Sequence, residues 1–246
     1  MAGAPLGAKS MSQPLLVIDV VGRPYGDVLE LQRSLVHRRL ARELTEDLLL
    51  LVEHQPVVTL GRGTRATSLP LAPPELAQRG VEVFEVERGG DVTWHGPGQL
   101  VGYPIIDLAG HHQDLHWYLR TLEAVLIAAL GRLGVAATRK PGLTGVWTDG
   151  RKIASIGVHV KQWVTLHGFA LNVSNDLAGF DLIVPCGIDN VVMTSIAREL
   201  GDRGHSGTLW VKARTAVIEA FGTMFERDPI GAALDPDGTV SIQRTF

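Results

Sequence analysis

The segment at residues 146–160, VWTDGRKIASIGVHV, decides the fold class more than any other stretch of the chain. Two runs rich in strand-forming residues flank the dipeptide Asp149-Gly150. Because this dipeptide favours the positive φ angles of a type I′ turn, the segment is predicted to be a β-hairpin. Residues 164–173 are also rich in strand formers, and we expect them to extend the same antiparallel sheet.

Strands and helices alternate through the rest of the chain. Apolar runs predict strands at residues 15–21, 47–53, 56–60, 81–86 and 100–106. Helical spacing and capping residues predict helices at residues 25–44, at 73–79, from Asp114 to about residue 133 and at 211–225, with a short tail behind the last helix. This combination predicts an α/β (α+β) single domain with a mixed β-sheet flanked by helices.

The bulk composition limits the classes of partner. The chain has 246 residues and a formal charge of −3, from 23 basic and 26 acidic residues. A balance of this kind provides no broad basic surface, so neither nucleic acid nor an anionic membrane is expected as a partner. No apolar run approaches the ~20 residues needed to cross a bilayer.

The two ends of the domain and its compartment are predicted from simple features. Residues 1–14 are small and polar and lack the pattern of a secretory signal, so we expect a disordered extension before a catalytic domain at residues 15–246. The chain has one cysteine, which excludes an intrachain disulfide and favours a reducing compartment. The predicted location is the cytoplasm.

Cys186 is the candidate nucleophile. It follows Pro185, which stiffens the backbone, and precedes Gly187, which permits another group to approach closely. A catalytic thiol also needs a neighbour that increases its thiolate fraction. From these residues alone the alternative of a small buried hydrophobic side chain stays open, and it is the commoner role of a free cysteine.

Lys152 is the candidate neighbour for that thiol. Strand alternation after the turn predicts that it shares a face with Ala154, Ile156, Val158 and Val160. A lysine on an apolar face can act as a fixed cation, or as a neutral amine that accepts a proton, and we expect the neutral amine because the apolar face makes it accessible near pH 7. The competing interpretation is an ordinary lysine that extends its ammonium group into water.

Residues 88–99, RGGDVTWHGPGQ, are predicted to form a long loop between two strands. Loops dense in glycine and hydrogen-bond donors often line binding sites, although a surface cluster of turns has the same composition. The segment matches neither the phosphate loop nor the dinucleotide fingerprint. Small residues at Gly157, Gly168 and Ala170 are compatible with a ligand slot or with tight packing of the sheet.

Three histidines, His111, His112 and His116, include a pair with helical spacing but lack an acidic partner motif. A solvated helix start is therefore favoured over a metal site. No metal and no cofactor are predicted.

Five ordered segments together resemble the octanoyltransferases of lipoate assembly, a family similar in fold to biotin and lipoate ligases. The segments are residues 53–62 (EHQPVVTLGR), 88–103, 145–157 (with GVW and KIASIG), 167–172 (HGFALN) and 185–187 (PCG). The resemblance covers residues 15–225. The departures are Trp94, where the family usually has tyrosine, and the N-terminal extension.

The resemblance implies a reaction and a site. An octanoyl group would pass from octanoyl-acyl carrier protein to Cys186, with Lys152 as its partner, and then to a lysine of the lipoyl domains of 2-oxoacid dehydrogenases or of the glycine cleavage H protein. No nucleotide would be consumed. The residues implied to surround the acyl chain are Arg88, Gly89, Gly90, Asp91, Val92, Thr93, Trp94, His95, Ser155, Ile156, Gly157, Gly168, Phe169 and Ala170.

Two other functions remain open at this point. An ATP-dependent lipoate or biotin ligase would modify the same kind of lysine, and residues 61–65, GRGTR, faintly resemble a ligase loop. A non-catalytic acyl-binding module would bury Cys186 and bind without turnover. ATP dependence separates the first from the transferase, and a covalent adduct separates the second.

Overall fold

The computed structural model describes residues 13–184, 191–204, 207–235 and 238–243. The strands in these ranges are β1 (Gln13–Val20), β2 (Asp47–Val52), β3 (Val57–Leu60), β4 (Glu82–Glu85), β5 (Val92–His95), β6 (Gln99–Ile105), β7 (Thr138–Lys140), β8 (Leu143–Thr148), β9 (Arg151–Lys161), β10 (Val164–Asn172), β11 (Arg227–Leu234) and β12 (Val240–Ile242). The α-helices are α1 (Tyr25–Leu40), α2 (Pro73–Gln78), α3 (Leu115–Arg132), α4 (Ile196–Leu200) and α5 (Leu209–Phe225).

The strands form one large and one small sheet. The large sheet has the order β12-β11-β1-β2-β6-β10-β9-β8-β7, and the small sheet has the order β4-β3-β5. Strand β1 pairs in parallel with β2 and β11, whereas β2, β6, β10, β9 and β8 pair with one another in antiparallel fashion. The predicted mixed sheet flanked by helices is therefore confirmed.

The core lies on both faces of the large sheet because β2 is apolar at every position after Asp47. Leu49 and Leu51 point toward α3 and α5, while Leu48 and Leu50 belong to the cluster under α1. This alternation is the period of two expected for a strand, and a continuous apolar run is what a central strand with two covered faces requires. Asp114 caps α3 as predicted, with its carboxylate accepting from the backbone N–H groups of His116 and Trp117.

The predicted hairpin is confirmed, including its turn. Asp149 and Gly150 have φ angles of 43° and 78°, as a type I′ turn requires. The next connection, between β9 and β10, also has two residues with positive φ, Gln162 and Trp163. Neither is glycine, which is why the sequence gives this turn no comparable signal.

The predicted face of Lys152 is wrong. On β8 the successive residues Val146 and Trp147 pair with Ala154 and Lys152, so β9 carries one extra residue in a β-bulge. The bulge reverses the alternation of side chains between the two faces of β9, so Lys152 and Ala154 lie on opposite faces. Ala154 and Val158 are buried under α3, whereas Lys152 lies on the opposite side of the strand.

Three other predictions differ from the structure. Strand β1 begins at Gln13, two residues before the predicted domain boundary, and residues 1–12 lie outside the described ranges. Part of the predicted glycine-rich loop is strand β5, which pairs with β3. The predicted tail after α5 contains β11 and β12, and β11 pairs with β1. Within the described ranges, no helix is long and apolar enough to span a bilayer.

Candidate active site

A cavity of about 250 Å³ lies where the small sheet meets β6, β9 and β10. Most of the predicted site residues line it: Arg88, Gly90, Asp91, Val92, Thr93, His95, Lys152, Ser155, Ile156, Gly157, Gly168, Phe169 and Ala170. The remaining walls are formed by Tyr25, Val101, Tyr103, Gly142, Leu143, Thr144, Trp147 and His167. Residues distant in the sequence thus converge on one enclosed, largely apolar space, as ligand sites usually do.

Two predicted residues do not line the cavity. Gly89 donates its backbone N–H to the carbonyl of Val158 at 2.9 Å and so attaches the glycine-rich segment to β9. Trp94 faces the other side of β5, where its ring meets that of Phe180 edge-on at a centroid distance of 5.5 Å. Trp94 therefore supports the 3-10 helix Leu177–Leu182 rather than the cavity wall.

Arg88 is a buried cation in the cavity wall. Its guanidinium donates to the carbonyl of Thr59 at 2.7 Å and to the hydroxyl of Thr59 at 2.9 Å. Its backbone carbonyl accepts from Arg62 N–H at 3.0 Å. These bonds hold the glycine-rich segment against β3 and its following loop, because a buried guanidinium must satisfy its donors.

Gly157 and Gly168 permit close approaches of the backbone. A Cβ on Gly157 would lie 3.0 Å from Arg88 Cδ, and a Cβ on Gly168 would lie 2.1 Å from the carbonyl oxygen of Gly102. Tight packing therefore explains these two glycines, the alternative left open by the sequence. Ala170 does carry a Cβ, is buried and lines the cavity between β6 and β9.

Lys152 is only 3% exposed, and its Nζ lies 5.4 Å from the centroid of the Trp147 ring. An aromatic face at this distance attracts a cation. The space around the side chain is narrow, since a Cβ on Gly145 would lie 3.0 Å from Lys152 Cε. A buried lysine with an aromatic contact is unlike the solvent-directed lysine of the competing interpretation.

Cys186 lies outside the described residues, but the chain on both sides of residues 185–190 is anchored at the site. Before this segment, Val184 N–H donates to the carbonyl of Ser68 at 2.9 Å. After it, Lys152 N–H donates to the carbonyl of Val192 at 2.8 Å, and Thr194 N–H donates to the carbonyl of Lys152 at 2.9 Å. The described residues that follow residue 190 therefore pair with the backbone of the lysine itself.

Ser68 joins the first of these anchors to the glycine-rich segment. Its hydroxyl donates to the Asp91 carboxylate at 2.6 Å, and the other oxygen of Asp91 accepts from Val92 N–H at 2.7 Å. Ser68 is buried, and its two contacts connect Asp91 in the cavity wall with Val184.

Buried tyrosines and histidines line the cavity near Arg88, and His54 packs behind them against Tyr25 and Tyr103. The ring of Tyr25 lies 5.0 Å from that of His54, whose Nε2 is 2.8 Å from the Tyr103 hydroxyl. Burial lowers the pKa of His54 to about 3 and the pKa of both His95 and His167 to about 4. Burial also raises the pKa of Tyr25 to about 12. Near neutral pH these rings are uncharged, so they add no charge to that of the Arg88 guanidinium.

Of the three histidines at the start of α3, His112 and His116 are exposed as predicted, whereas His111 has another role. His111 is buried rather than solvated, and its Nε2 lies 2.7 Å from the Asp47 carboxylate. The same carboxylate accepts from Arg39 and Arg227 at 2.9 Å each. This cluster ties β2, α1 and β11 together far from the cavity.

Several lining residues were not predicted. Trp147 and Tyr103 stand within the segments that carry the family resemblance, so a signal was present. Tyr25 and Leu143 stand outside those segments, and only the tertiary structure brings them to the cavity.

Solved structures of lipoate-protein ligases share this fold. A lipoate-protein ligase A bound with ATP superposes with a TM-score of 0.73 at 15% identity, covering 93% of this chain and 91% of that one. A bi-partite lipoate protein ligase from Thermoplasma acidophilum superposes with a TM-score of 0.68 at 16% identity, covering 93% and 89%. At these identities the similarity concerns the fold.

Sequence comparison identifies the family. The lipoyl protein ligase A/B catalytic domain family matches residues 24–221, and the chain belongs to this family. Proteins named octanoyltransferase are its relatives: the one from Gloeobacter violaceus is 54% identical, covering 69% of this chain and 74% of its own. Those from Nostoc sp. and Geobacter sulfurreducens are 46% and 51% identical, covering 82% and 75% of this chain and 88% and 75% of their own.

Proposed function

We propose that this protein is an acyltransferase that moves an octanoyl group from octanoyl-acyl carrier protein to Cys186 and then to a lysine of a lipoyl domain. The observation that carries the proposal is the position of Lys152. It lines an enclosed cavity, and its backbone holds the chain a few residues after Cys186. High identity to octanoyltransferases supports the acyl group and the reaction type.

The chemistry balances without a nucleotide. The Cys186 thiolate attacks the carbonyl carbon of the donor, the C–S bond to the carrier breaks, and the carrier thiol leaves with a proton. The lysine amine then attacks the Cys186 thioester, an amide bond forms, and the amine proton returns to the cysteine sulfur. Thioester exchange is nearly isoenergetic and amide formation is downhill, so positioning and proton handling are the tasks left to the protein.

The cavity suits a medium-length acyl chain. Val92, Val101, Ile156, Phe169 and Ala170 supply apolar wall, and strongly polar side chains are concentrated around Arg88 and Lys152. An acyl chain has no polar atoms beyond its carbonyl group, so its burial here is driven by removal of apolar surface from water. Lys152, which lines this cavity, would stabilise the Cys186 thiolate.

The partners and location follow from the same reaction. The donor is octanoyl-acyl carrier protein, and the acceptors are lipoyl domains of 2-oxoacid dehydrogenases and the glycine cleavage H protein. The Thermoplasma acidophilum ligase is described with its E2 lipoyl domain as one lipoylation system, which supports this class of acceptor for a related fold. A cytoplasmic location remains a prediction from the single cysteine.

Omitting ATP tests the proposal against the ligase alternative. Purified protein, octanoyl-acyl carrier protein and an apo lipoyl domain are incubated without nucleotide, and the mass of the lipoyl domain is measured. We expect one octanoyl group per domain with the wild type and almost none with Cys186→Ser, since a serine hydroxyl is a far weaker nucleophile than a thiolate. Modification only with free octanoate and ATP would establish a ligase instead.

A further inference from the structure

Two buried side-chain amides connect a cavity histidine to the backbone beside Lys152. His95 Nδ1 lies 2.8 Å from Gln99 Oε1, and Gln99 Nε2 lies 2.9 Å from Asn172 Oδ1. Asn172 Nδ2 in turn lies 2.9 Å from the carbonyl oxygen of Thr194. Gln99 and Asn172 are almost fully buried, so this chain of hydrogen bonds is shielded from water.

The direction of every bond in this chain follows from its last member. The carbonyl oxygen of Thr194 can only accept, so Asn172 must present its NH₂ group there and its oxygen to Gln99. Gln99 must therefore donate from Nε2, which also lies 3.4 Å from the carbonyl of Trp94, and accept at Oε1. Gln99 Oε1 can then bond only to a protonated Nδ1 of His95.

The chain thus determines which nitrogen of His95 carries the proton. A neutral imidazole protonated at Nδ1 has its lone pair at Nε2. His95 lines the cavity, and none of the described residues is hydrogen-bonded to its Nε2. The cavity therefore contains a fixed hydrogen-bond acceptor.

We propose that Gln99 and Asn172 are positioning residues that hold His95 with Nε2 toward the cavity, where it accepts a hydrogen bond from the incoming lysine amine. This role rests on the proposed function. In that reaction only the cysteine thiol and the amine bring a hydrogen-bond donor to the reacting carbon, because the acyl chain and its thioester have none. Lys152 is the proposed partner of the thiol, which leaves the amine for His95.

The surroundings of His95 keep its imidazole neutral, so Nε2 accepts a hydrogen bond but does not retain the proton that the amine releases. Tyr25 and His54 face its ring at centroid distances of 6.4 Å and 5.9 Å, and Arg88 and His167 act on it electrostatically. Burial, with smaller contributions from Arg88 and His167, holds its pKa at about 4 against the opposing effect of the Gln99 hydrogen bond. The proton released by the amine consequently returns to the Cys186 sulfur.

The same chain couples His95 to the lysine. The carbonyl of Thr194 accepts from Asn172, and its N–H donates to the carbonyl of Lys152. The histidine and the lysine are therefore aligned through Thr194, which lies in the segment after Cys186.

The tautomer can be observed in the wild-type protein. Two-bond ¹H–¹⁵N spectra near pH 7, with the His95 signals assigned by their absence in His95→Asn, report which ring nitrogen is protonated. We expect protonated Nδ1 and unprotonated Nε2. Protonation at Nε2 would overturn the inference, and this result depends on neither activity nor the folding of a Gln99 variant.

The proposed role of His95 in transfer is tested by measuring acylation of the protein separately from transfer to a lipoyl domain. Gln99→Met removes the chain and should slow transfer about tenfold, the effect of one hydrogen bond, while acylation changes by less than about threefold. When His95 has already been replaced by Asn, the Gln99→Met substitution should have no further effect on the transfer rate. Thr165→Val is the matched control, since it removes buried hydrogen bonds to Ile106 and Pro104 away from the cavity.

Gln99→Glu supplies a readout that a purely structural role would not change. A carboxylate beside Nδ1 favours the charged imidazole, so His95 becomes protonated at higher pH and Nε2 can no longer accept. The acidic limb of the transfer rate should move to higher pH than in the wild type, with the acceptor domain unchanged. An acidic limb that does not move in Gln99→Glu would overturn the inference, and so would equal slowing of both half-reactions in Gln99→Met. An inactive wild type would overturn the proposed function instead.

Discussion

Lys152 is the residue on which the proposed chemistry depends most directly. Its Nζ lies over the ring of Trp147, a position that stabilises a cation. The expectation of a neutral amine relied on an apolar face formed by Ala154 and Val158, and the bulge in β9 removes those residues from its side of the strand. We therefore propose that Lys152 acts as a fixed cation that stabilises the Cys186 thiolate.

Two substitutions separate charge from proton transfer at this position. Lys152→Met should slow acylation by about 10²-fold or more, because it removes both roles. Lys152→Arg keeps the charge and cannot act as a base, so it should retain a measurable acylation rate and a faster alkylation of Cys186 by iodoacetamide at pH 7 than Lys152→Met. Single-turnover acylation measures the first effect. Equal rates in the two variants, with both folded, would contradict the cation role.

Ala170 is expected to limit the length of the acyl chain. Its Cβ lies in the cavity wall, and interiors have little spare volume, so Ala170→Leu should shift the preference from eight-carbon toward six-carbon donors. Competition between hexanoyl and octanoyl carrier proteins measures the ratio. Trp94→Phe is the comparison, because Trp94 faces away from the cavity and its replacement should leave this ratio unchanged. An unchanged ratio in Ala170→Leu at normal rate would place the acyl chain elsewhere.

At the scale of elements, the position of the cysteine segment depends on what precedes and follows it. The 3-10 helix Leu177–Leu182 packs on Trp94 through Phe180, and Val184 bonds to Ser68. The chain after residue 190 joins the edge of β9 at Lys152. The glycine-rich segment thus contacts the residues that precede residue 185 and also lines the cavity.

Ser68→Ala tests this support. Loss of the hydroxyl leaves the Asp91 carboxylate with one fewer donor, so we expect a decrease of about 1–3 kcal/mol in the free energy of unfolding. Acylation should slow because Asp91 and the carbonyl that anchors Val184 are no longer held together. Ser241→Ala is the control, since its weaker contact to Asp235 at 3.4 Å is exposed. The two variants are compared by urea unfolding and by single-turnover acylation. If Ser68→Ala has the same stability and acylation rate as Ser241→Ala, Ser68 is not an anchor.

Elements with local signals were predictable from the sequence. The Asp149-Gly150 turn and the Asp114 cap depend on residues next to one another, and both are confirmed. The bulge at Lys152 was not predictable, because it depends on how β9 pairs with β8. Strand β11 contains Pro229, Gly231 and two alanines and forms only because β1 offers an unpaired edge.

At the scale of the whole molecule, the site is built where two sheets meet. The segments that carry the family resemblance contribute most of the wall, which is why many lining residues could be named from the sequence. Tyr25 at the start of α1 and Leu143 at the start of β8 come from elsewhere in the chain. Their positions depend on the packing of α1 against the sheet and on the β8–β9 pairing, neither of which has a motif.

The buried histidines should make the stability of the whole protein depend on pH. His54, His95 and His167 have pKa values of about 3, 4 and 4 in the folded protein, against about 6.5 in an unfolded chain. At pH values between the folded and the unfolded pKa, the unfolded state binds more protons than the folded state, so the free energy of unfolding rises with pH. This contribution is complete above about pH 6.5 and is lost as the pH falls toward 4.

The slope of that dependence is measurable. Each buried histidine contributes up to about 1.4 kcal/mol per pH unit in this window. Urea unfolding between pH 5 and 7 should therefore show a smaller slope for His54→Gln, which can still bond to Tyr103, than for the wild type. The exposed His37→Gln is the control and should keep the wild-type slope. Identical slopes for His54→Gln and the wild type would mean that folding does not lower the pKa of His54.

The central claim, a covalent octanoyl intermediate on Cys186, is tested most directly by intact-mass spectrometry of the protein after incubation with octanoyl-acyl carrier protein, without nucleotide. We predict a mass increase of one octanoyl group, mapped to Cys186, released by hydroxylamine and transferred to an added lipoyl domain. An unmodified mass together with tight reversible binding of the donor, or an adduct on any other residue, would contradict the account.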